Sequence, residues 1–286
     1  MSGAGSDVAG VLGLPLPTAR AGVIGDPVAH SLSPFIHRAA YRALGLDWEY
    51  EAFLVKESDT LTAIDEAATL GFRGLSVTTP LKVAASLACD ERSDAVGRIG
   101  AANTVVFSDR TRRAENTDGD GLLNDLAEAV GFVPEGAVCG VIGAGATARS
   151  VIAALSDRGA KEVLVVNRTE KRAKEAALLA GERGRAVGAE ALDQAALVVQ
   201  AAVLSSSDGA NTGIASVLAR FCREGQLVVD VTYEPRMSAF LSEASARGAR
   251  VRNGLGMLVH QAALQVSLFT GCDAPLAVMW EAVKGR

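Results

Sequence analysis

The chain has 286 residues, of which 49% are hydrophobic, so it can bury a sizeable core and form two domains of ordinary size. Its formal net charge of -5 argues against a nucleic-acid-binding protein, which needs a basic face, but it is compatible with a local cationic site for a small anion. The cysteines form no C-x-x-C pair, so we expect free thiols and neither a zinc site nor a disulfide framework.

Residues 1–19 lack the cationic start of a signal peptide and contain Asp7, which predicts a disordered leader. The most tempting membrane stretch, residues 137–155, carries Arg149 and several glycines and is therefore not expected to cross a membrane. These features predict a soluble cytoplasmic protein without a membrane partner.

Short apolar runs alternate with helical patterns in the first half of the chain. The clearest helical segment, residues 34–45, has Pro34 at a favourable first position, Ser33 as a candidate N-cap and Gly45 as its stop. Alternation of this kind predicts an α/β fold with a largely parallel sheet. The strands predicted here are 21–25, 48–55, 74–78 and 103–107.

A second alternating series begins near Val138, after a polar turn and helix at 116–132. We place a domain boundary in that turn, near Asp118. The last long helix, 257–271, follows the glycine-rich turn 253–256 and is expected to pack back on the first domain. The strands predicted in this series are 137–142, 162–166, 197–202 and 227–232. The predicted domains are thus 19–118 with 257–286, and 119–256 between them.

The stretch GVIGAGATARS, residues 140–150, resembles a dinucleotide-binding loop because it follows an apolar strand and opens a helix. Gly143 would make the tight turn, Gly145 would let the backbone approach a pyrophosphate, and Ala148 would let the helix pack on the strand. The alternative is an ordinary strand–turn–helix, which this context disfavours. The other loop residues expected at the cofactor are Ala144, Ala146 and Thr147.

The next strand indicates which dinucleotide binds. An NAD site usually has an acidic residue where Asn167, Arg168 and Thr169 stand. A carboxylate would repel a 2′-phosphate, whereas a guanidinium would bind it with charge-assisted hydrogen bonds. The sequence therefore predicts NADP(H), the alternative being that Arg168 is a solvated loop charge.

Polar clusters in the first half predict a substrate site. Ser31 and Ser33 lie two residues apart before a helix, so in an extended segment both hydroxyls would face one side and suit a carboxylate. The alternative is that Ser33 is only an N-cap. Ser76 and Thr78 would likewise share a strand face.

Three further polar residues fit the same interpretation. Lys82 falls near a helix start, which is electrostatically awkward and suggests a specific partner, although a surface lysine is the commoner case. Asn103 could donate to and accept from a sugar-like hydroxyl. Asp118 could hold a lysine, or could form a turn before Gly119.

Taken together, eight stretches resemble, in sequence and in order, the motifs of the shikimate dehydrogenase family. The resemblance covers nearly the whole chain from about residue 20, and the combination of motifs is far more specific than the glycine loop alone. The stretches are GVIGDPVAHSLSPFIHRAAY, GLSVTTPLK, IGAANTVV, NTDGDG, VIGAGATAR, NRTEKRA, DVTYEP and GLGMLVHQAALQ.

The resemblance implies two domains, an N-terminal α/β substrate domain and an NADP-binding Rossmann domain, and it assigns roles to matching positions. Lys82 and Asp118 would be the catalytic pair, and Ser31 and Ser33 would hold the substrate carboxylate. The positions implied to bind ring hydroxyls are Thr78, Asn103 and Gln261, and those implied to line the nicotinamide side are Tyr233 and Gly254.

Two departures from the family pattern stand out. The family often has Asn where Ser76 stands, in a position that touches substrate, so the preference between shikimate and quinate is open. The turn QAAVLSSS, residues 200–207, also differs from the family's usual turn near the cofactor.

The reaction implied is the reversible reduction of 3-dehydroshikimate to shikimate by NADPH, with lysine as the acid. An unperturbed lysine, of pKa about 10.4, is protonated at neutral pH and ready to donate. Shikimate oxidation should therefore be fastest at alkaline pH, and a flat rate profile between about pH 6 and 10 would contradict this assignment.

Other functions stay open at this point. One is a quinate/shikimate or aminoshikimate dehydrogenase, which would share the serine pair and Lys82. Another is a catalytically silent NADP(H)-binding relative, although such a protein could have lost Lys82 or Asp118. A Rossmann enzyme of folate or haem synthesis would not need the serine pair. The protein could be a monomer or a homodimer.

Overall fold

The computed structural model describes residues 19–108, 111–202 and 217–286. The predicted leader, apart from its last residue, and positions 203–207 of the divergent turn lie outside these ranges.

The described residues form two compact units. Unit 1 contains those up to Thr117 together with Gln261–Arg286, and unit 2 is Asp118–His260. The boundaries predicted from the sequence differ from this division by one residue at the first crossing and by four at the second. The second differs because the change of unit falls inside a continuous helix, whereas the sequence pattern marks only the glycine-rich turn before it.

Unit 1 has a mixed six-stranded sheet in the order β2-β1-β3-β5-β6-β4. Strand β1 runs parallel to β2 and β3, β5 runs antiparallel to β3 and β6, and β4 runs parallel to β6. Every residue of β1 is buried. The strands are β1 (Arg20–Gly25), β2 (Glu49–Leu54), β3 (Phe72–Val77), β4 (Glu91–Arg92), β5 (Thr104–Phe107) and β6 (Arg112–Glu115).

Four α-helices of the described range 19–108 also belong to unit 1: α1 (Ser33–Ala43), α2 (Thr60–Thr69), α3 (Lys82–Ala88) and α4 (Asp94–Ile99). The predicted N-cap role of Ser33 is wrong, because Ser33 is the first helical residue and Leu32 occupies the cap position without a side-chain hydrogen bond. The predicted stop is found. Gly45, two residues after α1, has a φ of 69°, which favours glycine.

Unit 2 has a fully parallel six-stranded sheet in the order β9-β8-β7-β10-β11-β12. Counted from β7, this is the 3-2-1-4-5-6 order of the Rossmann fold, in which ligands bind at the carboxyl ends of the strands where the order reverses. The α/β prediction with a Rossmann second domain is confirmed. The strands are β7 (Val138–Ile142), β8 (Glu162–Val166), β9 (Gly184–Ala186), β10 (Leu197–Gln200), β11 (Leu227–Asp230) and β12 (Arg250–Asn253).

The fully described α-helices of unit 2 are α5 (Asp118–Val130), α6 (Ala146–Asp157), α7 (Glu170–Ala177) and α8 (Ala239–Ala246). Short 3-10 helices occupy Leu178–Arg183 and Ala189–Gln194, and a third, Glu57–Asp59, precedes α2 in unit 1.

Two helices complete the chain, α9 (Leu255–Thr270) and α10 (Leu276–Glu281). Helix α9 begins in unit 2, and from Gln261 onward it belongs to unit 1. It lies close to β3, since a Cβ on Gly74 would come within 2.1 Å of the Phe269 ring. None of the helices in the described ranges combines the length and apolar character needed to cross a bilayer.

Candidate functional site

Asn103 forms the centre of a buried polar cluster in unit 1. It lies immediately before β5, and its Oδ1 accepts a hydrogen bond of 2.8 Å from the backbone N–H of Thr117. Because a backbone N–H can only donate, this contact fixes the orientation of the Asn103 amide. Its Nδ2 then donates to Thr117 Oγ1 at 2.9 Å and to Gln261 Oε1 at 3.2 Å. Asn103 and Gln261, two of the predicted ring-hydroxyl ligands, are thus in contact.

Ser76 belongs to the same buried cluster and lies in β3. Its hydroxyl accepts from the Tyr50 hydroxyl at 2.6 Å and donates to Gln265 Oε1 at 2.7 Å. Gln265 also donates from Nε2 to the Asn103 carbonyl at 3.1 Å and to Thr104 Oγ1 at 2.9 Å. Gln265 was not predicted from the sequence. The signal that could have found it is the i, i+4 spacing from Gln261, which puts two amides on one face of an apolar helix.

Ser31 lies just before α1 and Ser33 is its first residue, so the predicted extended segment is wrong. Leu32 between them has φ -82° and ψ -9°, which is helical backbone, and alternation of side chains along a strand does not apply. Instead the Ser31 hydroxyl accepts from the backbone N–H of Ser33 at 3.3 Å. Ser33 is buried beside Tyr50. Burial raises the pKa of the Tyr50 phenol, and hydrogen bonds with the hydroxyls of Ser76 and Ser33 act to lower it.

Thr78 and Lys82 flank the loop that leads from β3 into α3. Thr78 is half-buried and continues the strand by donating its backbone N–H to Ile24. Lys82 is the first residue of α3 and is only 8% exposed. A lysine this deeply buried needs interactions for its ammonium group, so the alternative of an ordinary surface lysine is excluded.

The glycine loop of unit 2 has the shape that the dinucleotide hypothesis requires. Gly143 has a φ of 121°, and a Cβ there would lie 2.9 Å from the Ala202 backbone nitrogen, so this position needs glycine. A Cβ on Gly145 would meet no atom within 4 Å, which leaves open space before the first turn of α6. Ala148 is fully buried, as close helix–strand packing requires. These residues fit a bound dinucleotide pyrophosphate.

Asp118 lies at the first position of α5 and is 5% exposed. The turn-forming alternative is therefore wrong, because Asp118 is helical. Its carboxylate accepts a 3.3 Å hydrogen bond from Thr147, which was expected in the glycine loop and is the second residue of α6. The next residue, Gly119, donates its backbone N–H to Ser150 Oγ at 2.8 Å, which ties α5 to α6. Within unit 2, Asp118 thus lies beside the predicted cofactor loop. Lys82, its predicted partner, belongs to unit 1.

The residues after β8 present a cation where an NAD site would carry a carboxylate. Asn167 closes the turn by donating from Nδ2 to the Thr169 carbonyl at 3.0 Å. Thr169 occupies the cap position of α7. Arg168 is exposed, and within the described part of the chain its guanidinium makes no hydrogen bond or ion pair. This side chain can therefore bind an anion without breaking a described contact.

Tyr233 and Gly254, the positions implied at the nicotinamide side, follow β11 and β12. Tyr233 is half-buried. Gly254 is buried, and a Cβ there would lie 1.9 Å from the Val231 carbonyl oxygen, so only glycine allows this approach of the two loops. Its backbone N–H donates to Thr232 at 3.1 Å.

Comparison with known proteins covers almost the whole chain. Residues 23–105 match the shikimate dehydrogenase substrate binding domain, 126–236 match shikimate / quinate 5-dehydrogenase, and 254–284 match the shikimate 5'-dehydrogenase C-terminal domain. A shikimate dehydrogenase (NADP(+)) of Methanopyrus kandleri is 40% identical over 272 residues, which are 92% of this chain and 93% of that protein. The chain belongs to the shikimate dehydrogenase family.

Other members of the shikimate dehydrogenase family agree. The NADP(+) enzyme of Moorella thermoacetica is 40% identical over 90% of each chain. The shikimate 5-dehydrogenase of Thermus thermophilus, solved in complex with NADP(H) and shikimate, is 36% identical and superposes with a TM-score of 0.82 over 93% of this chain and 99% of that one. The family recognition is therefore confirmed. Asp118 alone among the predicted site residues lies between the matched spans.

Proposed function

We propose that this chain catalyses the reversible, NADPH-dependent reduction of 3-dehydroshikimate to shikimate. The observation that carries the proposal is the likeness, over nearly the full length of both chains, to an enzyme solved with NADP(H) and shikimate together. The buried Lys82 supports it, because it places an ammonium group in the unit that holds the polar cluster.

The polar cluster of unit 1 suits a small ring that carries hydroxyls and a carboxylate. Asn103 and Gln261 offer amides in a buried setting, and Thr78 adds a hydroxyl at the end of β3. We assign these three, with Ser76, to the ring hydroxyls, and Ser31 and Ser33 to the carboxylate. Buried hydrogen-bonding groups of this kind discriminate strongly against ligands that leave them unpaired.

Lys82 is assigned the proton transfer. In the reductive direction its ammonium gives a proton to the ketone oxygen, and the carbonyl becomes an alcohol. In the oxidative direction the neutral amine takes the hydroxyl proton back. Asp118 is assigned to hold and orient this lysine. NADPH, when bound, supplies the hydride that the ketone carbon accepts.

Unit 2 is assigned the cofactor. The loop around Gly143 and Gly145 would hold the pyrophosphate, and Arg168 would bind the 2′-phosphate that distinguishes NADP from NAD. Tyr233 and Gly254 are assigned to the nicotinamide side. The cytoplasmic location and the monomeric or homodimeric state stay predictions from the sequence.

A quinate/shikimate or aminoshikimate dehydrogenase is the second candidate. The observation that favours it is Ser76, a smaller residue than the asparagine common in the family. This candidate would share Lys82 and the serine pair, and would differ in the ring substituents or cofactor that it accepts.

The test is the absorbance of reduced nicotinamide with shikimate and quinate, each offered with NADP+ and with NAD+, at alkaline pH. We expect strong turnover with shikimate and NADP+ alone. Turnover with quinate or NAD+ would favour the second candidate. Binding of NADPH without turnover of any pair would reject both in favour of a silent relative.

A further inference from the structure

Gln265 holds together the buried cluster around Ser76 and Asn103. It is fully buried, lies one helical turn after Gln261, and hydrogen-bonds on both sides of its amide. One side faces Ser76 and the other faces Asn103, so a single side chain contacts two residues that the proposed function assigns to substrate.

The orientation of the Gln265 amide follows from its partners. The Asn103 carbonyl can only accept, so the atom 3.1 Å from it must be the donor Nε2. The other side of the amide, 2.7 Å from the Ser76 hydroxyl, is then the acceptor Oε1. Ser76 must therefore donate its only proton to Gln265.

The direction of the remaining bonds is then determined. Because the proton of Ser76 is used, the Tyr50 hydroxyl at 2.6 Å must be the donor in their contact. On the other side of the amide, the Thr104 hydroxyl accepts a hydrogen bond from Gln265 and donates one of 2.8 Å to Asn103 Oδ1. These hydrogen bonds form one network in which the donor and acceptor of every bond are defined, and each hydrogen bond strengthens the next one.

His37, a titratable side chain beside Gln265, carries no charge near pH 7 that would disturb these hydrogen bonds. His37 stacks on Tyr50 with 4.0 Å between ring centroids, and its Nε2 is buried and without a hydrogen-bond partner among the described residues. Burial lowers the pKa of His37 to about 3, although the Gln265 side chain acts in the opposite direction. His37 is therefore neutral near pH 7.

We infer that Gln265 is a positioning residue that sets the substrate preference of this site. By taking the Ser76 proton, it leaves Ser76 able only to accept a hydrogen bond from a ligand, so the ligand must present a hydroxyl proton there. Through Thr104 and the Asn103 carbonyl, it also holds the Asn103 amide in place. The inference rests on the proposed function, because Ser76 and Asn103 act as its substrate ligands.

The experiment compares wild-type enzyme with Gln265→Met, which keeps the volume of the side chain and removes both the acceptor and the donors. We expect the KM for shikimate to rise about tenfold, as for loss of one buried hydrogen bond, and the KM for NADP+ to change less than about twofold. Gln265→Asn keeps an amide but is one methylene too short to bridge both sides. It should show the same pattern if Gln265→Met fails to fold.

Substrate analogues provide the readout that a merely structural role would not change. A fluorine in place of the 4- or the 5-hydroxyl of shikimate can accept but cannot donate. Wild-type enzyme should reject the analogue whose fluorine faces Ser76. In Gln265→Met the Ser76 proton is released, so discrimination against that analogue, measured as a ratio of kcat/KM values, should fall by about tenfold.

The matched control is Gln226→Met in unit 2. Gln226 is equally buried, and its amide donates to the Leu192 and Ala195 carbonyls at 2.8 Å each. This variant should lose comparable stability in urea while its KM for shikimate and its analogue ratios stay at the wild-type values.

Two outcomes overturn the inference, and they are distinguishable. If wild-type enzyme turns over shikimate but Gln265→Met and Gln265→Asn keep its KM and both analogue ratios within about twofold, Gln265 has no positioning role. If wild-type enzyme turns over no shikimate at all, the proposed function fails first and the inference fails with it.

Discussion

Replacement of Arg168 by glutamine should separate the two cofactors. Arg168 is exposed and makes no hydrogen bond or ion pair within the described ranges, so the substitution should change the free energy of unfolding by less than about 0.5 kcal/mol. A hydrogen bond from a charged group to a phosphate contributes about 1.5–3 kcal/mol. At about 1.4 kcal/mol per factor of ten, its loss should raise the KM for NADP+ between about tenfold and 150-fold.

The assay measures initial rates of shikimate oxidation at saturating shikimate, with NADP+ and with NAD+ varied in turn. The KM for NAD+ should stay within about twofold, because NAD+ has no 2′-phosphate for Arg168 to bind. A titration of NADPH fluorescence provides an independent dissociation constant and should weaken by the same factor as the KM.

The matched control is Arg185→Gln, which makes the same change of charge in the same unit. Arg185 pairs with Glu162 at the start of β8, whereas Arg168 follows the end of that strand. Equal weakening of NADP+ and NAD+ in Arg168→Gln, or equal effects of the two substitutions on NADP+, would refute the reasoning, since either result would indicate a general effect of charge.

Four further outcomes are expected. Lys82→Ala should lower kcat by about 10²- to 10⁴-fold with little change in KM. Ser31→Ala should mainly raise the KM for shikimate. Steady-state kinetics that give the reverse pattern would contradict both assignments. Gly143→Ala should cost about 1–3 kcal/mol in urea denaturation and weaken NADPH binding, because the new Cβ would lie 2.9 Å from the Ala202 nitrogen at a φ of 121°; unchanged binding would remove this loop from the cofactor site. Between its ordinary pKa of 6.5 and its folded pKa of about 3, His37 binds a proton only in the unfolded chain, so stability should fall by about 1.4 kcal/mol per pH unit as the pH drops through this window. His37→Phe should flatten that slope in urea titrations at several pH values, and an unaltered slope would show that another group causes it.

The sequence predicts those parts of the fold whose signal is local. Strands such as β8 and β10 are continuous apolar runs buried in a parallel sheet, and their positions were predicted to within two residues. Strands β6 and β12, with the sequences RRAE and RVRN, were missed because they are short, largely polar and only partly buried. Their strand conformation depends on pairing with β5 and β11 and not on their own composition.

The candidate site also has parts with a local sequence signal, which could be predicted, and parts without one, which could not. The shape of the glycine loop could be predicted because a tight turn between a strand and a helix constrains a short continuous segment, at Gly143 above all. The geometry of Ser31 and Ser33 could not, since the turn at Leu32 replaces the expected extended backbone. Gln265 was missed because its partners, Ser76 and Asn103, are 189 and 162 residues away in the chain.

The two crossings between the units, at Thr117–Asp118 and at His260–Gln261, mean that unit 1 is not a continuous segment. During synthesis, β3 and β5 leave the ribosome long before Gln261 and Gln265, the two residues of α9 that hydrogen-bond to Asn103 and Ser76 in the finished structure. Unit 2 is a continuous segment, so its whole sequence has been translated before that of unit 1 is complete. Unit 1 can satisfy its buried hydroxyls and amides only when the second half of α9 has been translated. Nascent chains that end before Gln261 should therefore depend on chaperones more than the full-length chain does.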